Sequence, residues 1–138
     1  MKAFRVIPII FLAVVLANCK PVQKTAVGFL SNKTWVLESI AGSGDLSTDF
    51  QEEIPYLTFM EAGRLSGGSG CNVFSGIYKL EDASLELDPG AMTQKICHGV
   101  KEELFLNTLK GVTKFKKSGD WLVLQNESGD LMKLSPKE

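Results

Sequence analysis

The chain has 138 residues, with 15 lysines and arginines against 16 aspartates and glutamates, for a net charge of −1 with histidine neutral. That length holds one domain of ordinary size and not two, and the balanced charge leaves no basic surplus to attract nucleic acid or an anionic membrane. A hydrophobic share of 44% is that of a globular protein, raised by an apolar N-terminus.

At that N-terminus Lys2 and Arg5 bracket the start of an apolar run from Val6 to Leu16. Eleven helical residues rise about 16 Å, too short for a hydrocarbon core of about 30 Å, so the run reads as the h-region of a signal peptide. Leu16-Ala17-Asn18-Cys19 follows at once and resembles the lipobox of bacterial lipoproteins, with Asn18 where a smaller residue is usual. The resemblance implies a signal peptide over 1–18, a lipidated Cys19 and a membrane anchor in which each buried CH₂ contributes about 0.8 kcal/mol. Lys20 follows the cysteine instead of aspartate, which by the same resemblance implies the outer membrane.

Residues 19–32 show no clean period and read as a tether, with a domain over 33–138. Thr34 to Ile40 alternates as a half-buried strand with Trp35 and Leu37 on one face. Ala41 to Glu53 reads as a polar loop. Pro55 to Met60 resumes alternation, and Glu61-Ala62-Gly63 turns the chain back through Arg64 to Gly67 as a hairpin. Val73 to Lys79 is another strand. Leu85 to Leu87 alternates until Pro89-Gly90 breaks it, and Met92 to Cys97 is short and extended. One helix is expected over Val100–Lys110, from its apolar stripe, its early Glu102 and Glu103, its late Lys110 and a stop at Gly111. Val112–Lys117, Trp121–Gln125 and Asp130–Ser135 close the chain as a meander. The fold expected is α+β: a mainly antiparallel curled sheet of about eight short strands, barrel or half-barrel, with one helix packed against it.

In order, Thr34-Trp35-Val36-Leu37-Glu38, Pro55-Tyr56-Leu57-Thr58-Phe59, Arg64-Leu65-Ser66-Gly67, Gly70-Cys71-Asn72-Val73-Phe74-Ser75-Gly76-Ile77-Tyr78, Met92-Thr93, Cys97, Glu103 to Leu106 with Leu109, and Trp121 to Leu124 form one pattern. It resembles the META domain (HslJ-like) family from about Lys33 to Leu134, with Ile96 and His98 departing from the family's usual alanine and proline. The resemblance implies a small bacterial envelope domain, often lipid-anchored, linked to stress response, drug tolerance and secretion, with a fold like that of secretin pilot lipoproteins. It implies no reaction.

Several residues invite chemistry. Cys71 and Cys97, 26 positions apart in an exported chain, read first as a disulfide; closing that loop stabilises the fold by about 3.5 kcal/mol in the chain-entropy model. With His98 they could instead form a metal site, although zinc wants four ligands and Cys97 and His98 diverge in an extended segment. A nucleophilic cysteine paired with His98 needs a free thiol and an orienting acid. Gly67-Gly68-Ser69-Gly70 lacks the Gly-Lys-Ser/Thr that completes a phosphate loop and reads as a strand crossing. Asn72 reads as a turn former and Tyr78 as sheet packing. Leu57, Phe59, Phe74, Leu104 and Phe105 could line an apolar groove for a lipid or peptide, or serve as core. No enzyme activity, metal or cofactor is expected. The expected partners are the membrane, through the lipid, and an envelope protein, with no nucleic acid and the chain a monomer.

Overall fold

The computed structural model describes residues 21–137. Its elements are helix α1 (Pro21–Leu30), β1 (Thr34–Ile40), a one-turn helix α2 (Leu46–Asp49), β2 (Tyr56–Met60), a 3-10 turn (Glu61–Gly63), β3 (Arg64–Gly68), β4 (Val73–Glu81), β5 (Ser84–Met92), α3 (Glu102–Lys110), β6 (Lys114–Ser118), β7 (Trp121–Asn126) and β8 (Gly129–Pro136). Every strand pairs antiparallel with the next, and β8 returns to β1 with Trp35 opposite Pro136 and Ile40 opposite Met132. The sheet is curled, as the alternation in the sequence predicts, and the β1–β8 pairing closes its hydrogen bonds into a ring.

Alternation also decides what lies inside. Trp35 and Leu37 on β1, Leu57 and Phe59 on β2, Leu65 on β3, Phe74 and Tyr78 on β4, and Leu85 and Leu87 on β5 point inward and are buried. Tyr78 sets its ring edge-on to Phe59, 5.1 Å between centroids, and donates its hydroxyl to the Met60 carbonyl at 3.1 Å. The ring is thinnest between β5 and β6, which share one rung, Ser84 opposite Lys114. Helix α3 packs along β5 beside this junction. It buries Phe105 and Leu109, with Phe105 6.4 Å from Phe74. Its charges match the helix dipole, acid first and base last. Gly111 closes it with its N–H on the Asn107 and Thr108 carbonyls, in right-handed rather than left-handed backbone.

Three segments differ from the sequence reading. The stretch read as a tether is helical from Pro21 to Leu30, and its far end is built into the domain: Leu30 is fully buried, its carbonyl accepts the Trp35 indole N–H at 3.0 Å, and the Phe29 ring lies 5.0 Å from Trp35. The polar loop 41–53 holds α2, capped by the Asp45 carboxylate on the Ser47 N–H, and buries Phe50. Strand β5 continues through Pro89 and Gly90 to Met92. A bulge makes this possible: Ser75 pairs with Ala91 and Ile77 with Asp88, leaving Pro89 and Gly90 together opposite Gly76. A proline is tolerated there because a bulge does not require its missing N–H. A Cβ on Gly76 would stand 1.9 Å from the Asp88 carbonyl oxygen, so the strands approach this closely only over glycine.

Candidate functional site

The glycine-rich crossing between β3 and β4 and the irregular segment 93–101 meet at one end of the ring. Ser69 and Asn72 close the crossing on itself. The Ser69 N–H and Oγ both reach the Asn72 carbonyl, at 2.8 and 2.9 Å, and the Asn72 N–H returns to Ser69 Oγ at 3.0 Å. Gly70 turns this corner with φ +93°, and a Cβ there would meet the Phe50 ring at 2.6 Å.

From this turn the Asn72 side chain reaches two further segments. Its Oδ1 accepts the Lys95 N–H at 2.7 Å and the Thr93 hydroxyl at 2.8 Å. Its Nδ2 donates to the Lys95 carbonyl at 3.1 Å and to the Glu102 carboxylate at 3.0 and 3.2 Å. The carboxamide thus pairs with Lys95 as a backbone peptide would, fixing an otherwise irregular segment in register. Ser69 Oγ also contacts the Glu102 carboxylate.

Beside the amide, Cys71 and Cys97 form a disulfide with Cα atoms 5.8 Å apart. Two ion pairs tie the same region to the loop before β2, Lys95 to Glu52 at 2.7 Å and Lys101 to Asp49 at 2.9 Å, while the Lys101 N–H donates to the Asp49 carbonyl. Asp49 is buried, and its carboxyl is held below the ordinary aspartate range, first by the Ser43 hydroxyl at 2.6 Å and then by Lys101. Glycine turn, amide, disulfide and ion pairs together make a clasp.

Ser69 is fully buried and faces a carboxylate and an amide, with no histidine against it. Both cysteine sulfurs lie in the disulfide, and His98 is exposed to solvent. Among the described residues no three histidine, cysteine or acidic side chains are placed to hold a metal ion. Leu57, Phe59, Phe74 and Phe105 are core side chains and Leu104 is partly buried against them. Cys19 lies outside the described residues. Sequence reasoning took Asn72 for a turn residue and Glu102 for a helix-dipole charge, and missed Ser69, Asp49 and Lys101. The partners of the Asn72 side chain are 21 to 30 positions away, so no local pattern could reveal them.

With this geometry in view, the comparisons are direct. The META domain family model matches residues 29–138. The chain belongs to the META domain family. The matched span opens at Phe29, the residue where α1 joins the core. A protein solved by NMR is 29% identical, with a TM-score of 0.58 over 75% of this chain and 89% of that one. An NMR structure from Burkholderia xenovorans is 23% identical, with a TM-score of 0.63 over 99% and 95%. The crystal structure of a DUF4847 family protein from Bacteroides vulgatus shares the fold at 12% identity, with a TM-score of 0.60 over 80% and 96%. No curated protein matches the sequence.

Proposed function

We propose that this META domain protein is a lipid-anchored factor of the bacterial envelope, held at the outer membrane through Cys19 and acting by binding or assembly without catalysis. The observation that carries the reading is the lipobox-like Leu16-Ala17-Asn18-Cys19, set two residues before a helix whose far end is locked into the domain by Leu30 and Trp35. Ten helical residues rise about 15 Å, so α1 acts as a stiff spacer between anchor and sheet. The non-catalytic part is supported by the clasp, whose polar groups answer one another and whose sulfurs are joined.

Metabolic labelling with palmitate tests the anchor. Label should enter the wild type and vanish from Cys19→Ala, which should also leave the membrane fraction. Label persisting in Cys19→Ala overturns the reading. Thiol titration of unreduced, denatured protein tests the clasp: Cys71 and Cys97 should react only after reduction.

A further inference from the structure

The charges of the chain balance overall, but they are not evenly spread. The clasp closes one end of the ring; at the opposite end β1 begins, β8 finishes and β6 turns into β7. Helix α1 closes that second end, with Leu30 buried and contacts reaching β4. Lysines gather beside it. The Lys33 and Lys117 ammonium groups lie 5.4 and 5.1 Å from the centre of the Phe29 ring, and Lys33 is 5.6 Å from that of Trp35. Lys133 sits 3.9 Å over Trp121, at the start of β7. All three lysines are exposed. Among the described residues none of them has an ion pair, whereas Lys114 and Lys116 are paired with Glu127 and Asp130. Of the acids in the turns at this end, Glu61, Glu81 and Asp82 lie across the ring, between β2 and β3 and between β4 and β5. Asp120 alone shares the lysines' side.

We propose that this lysine-bearing side of the ring docks on anionic phospholipid headgroups of the leaflet that carries the anchor. Docking rests on the lipidation of Cys19 proposed above and goes beyond it, because an acyl chain holds a domain near a membrane without choosing the face it presents. Ten helical residues and the two before them put Leu30 within about 22 Å of the lipidated residue. The contact is therefore intramolecular, and a few weak charges suffice. Each lysine also rests on an aromatic ring, the pairing of cationic head and amphipathic ring that membrane interfaces favour. Stacking holds these long side chains in place, so less freedom is lost on docking. Docked, α1 lies along the leaflet, where Val27, 40% exposed, adds an apolar contact. Near an anionic surface each lysine favours the docked state by about fivefold.

Amine labelling of the full-length lipidated chain in reconstituted vesicles, read residue by residue by mass spectrometry, tests this. From phosphatidylcholine vesicles to vesicles containing phosphatidylglycerol, labelling of Lys33, Lys117 and Lys133 should fall at least about fivefold. Lys95, in the clasp at the other end, should label equally in both. High salt should restore the labelling, because screening shortens the reach of each charge. In the double variant Lys33→Glu, Lys117→Glu, Lys133 should react equally in both vesicles; in Lys33→Gln, Lys117→Gln its protection should be intermediate. Flotation separates the two readings. A chain that floats with the vesicles but labels equally in both overturns docking and leaves the anchor standing; a chain that does not float overturns both. Protection extending to Lys95, or equal protection by inorganic phosphate in neutral vesicles, which would mark a free-anion site, also overturns docking.

Discussion

Replacing Asn72 by alanine removes the one group that joins the glycine turn, the 93–95 segment and the start of α3. It also leaves a Lys95 peptide and the Glu102 carboxylate short of partners. Denaturant titration should show a loss of about 1–3 kcal/mol, since part-buried groups left without partners cost more than a hydrogen bond's net worth. Asn72→Asp keeps the size and the Oδ1 contacts but sets a second carboxylate against Glu102. It should be at least as damaging at neutral pH and partly relieved on acidification. Asp49 makes a different pH prediction. Its folded carboxyl titrates below the ordinary value, so its contribution is complete above the unfolded pKa and is lost as pH falls through the folded one. The stability gap between wild type and Asp49→Asn should therefore be steady near neutrality and close below about pH 4.

Among the elements, the β4–β5 pair and α1 show how far local pattern carries. The sequence reading ended β5 at Pro89-Gly90 because both residues break ordinary strands. Only the partner strand reveals the bulge that accommodates them opposite Gly76. Gly76→Ala should cost about 3 kcal/mol or more, because its Cβ would meet backbone that cannot swing aside. Gly28→Ala, in α1, meets nothing within 4 Å and should be neutral or stabilising by up to about 1 kcal/mol. Thermal or chemical melts of the two variants give opposite signs if both assignments hold. Pro21 at the first position of α1 was a legible start signal. Gly28 obscured the rest, and the docking of Phe29 and Leu30 is a tertiary fact. Asp45 with Ser47 was likewise a readable cap for α2. Across the clasp, replacing both Cys71 and Cys97 by serine should lower stability by about 3.5 kcal/mol. Amide hydrogen exchange at Lys95 should nonetheless stay slow in that variant, because Asn72 holds the same peptide without the disulfide.

At the scale of the whole molecule, the strands were legible where a one-sided sheet writes its period directly into the chain, as at Tyr56–Met60. Closure was not legible, since Val36 pairs with Ser135 from the other end of the domain.

That register has a mechanical consequence. The chain enters β1 at Thr34 and leaves β8 at Pro136 on the same rim, where the Lys137 N–H still reaches the Thr34 carbonyl. A load applied between the two ends would act at right angles to the strands and open the β1–β8 seam one rung after another. It would not have to slide the two strands past each other with every rung breaking together. The seam is therefore a zipper with its tab at the termini, and a pull on the C-terminal strand would unroll the sheet from β8 inward.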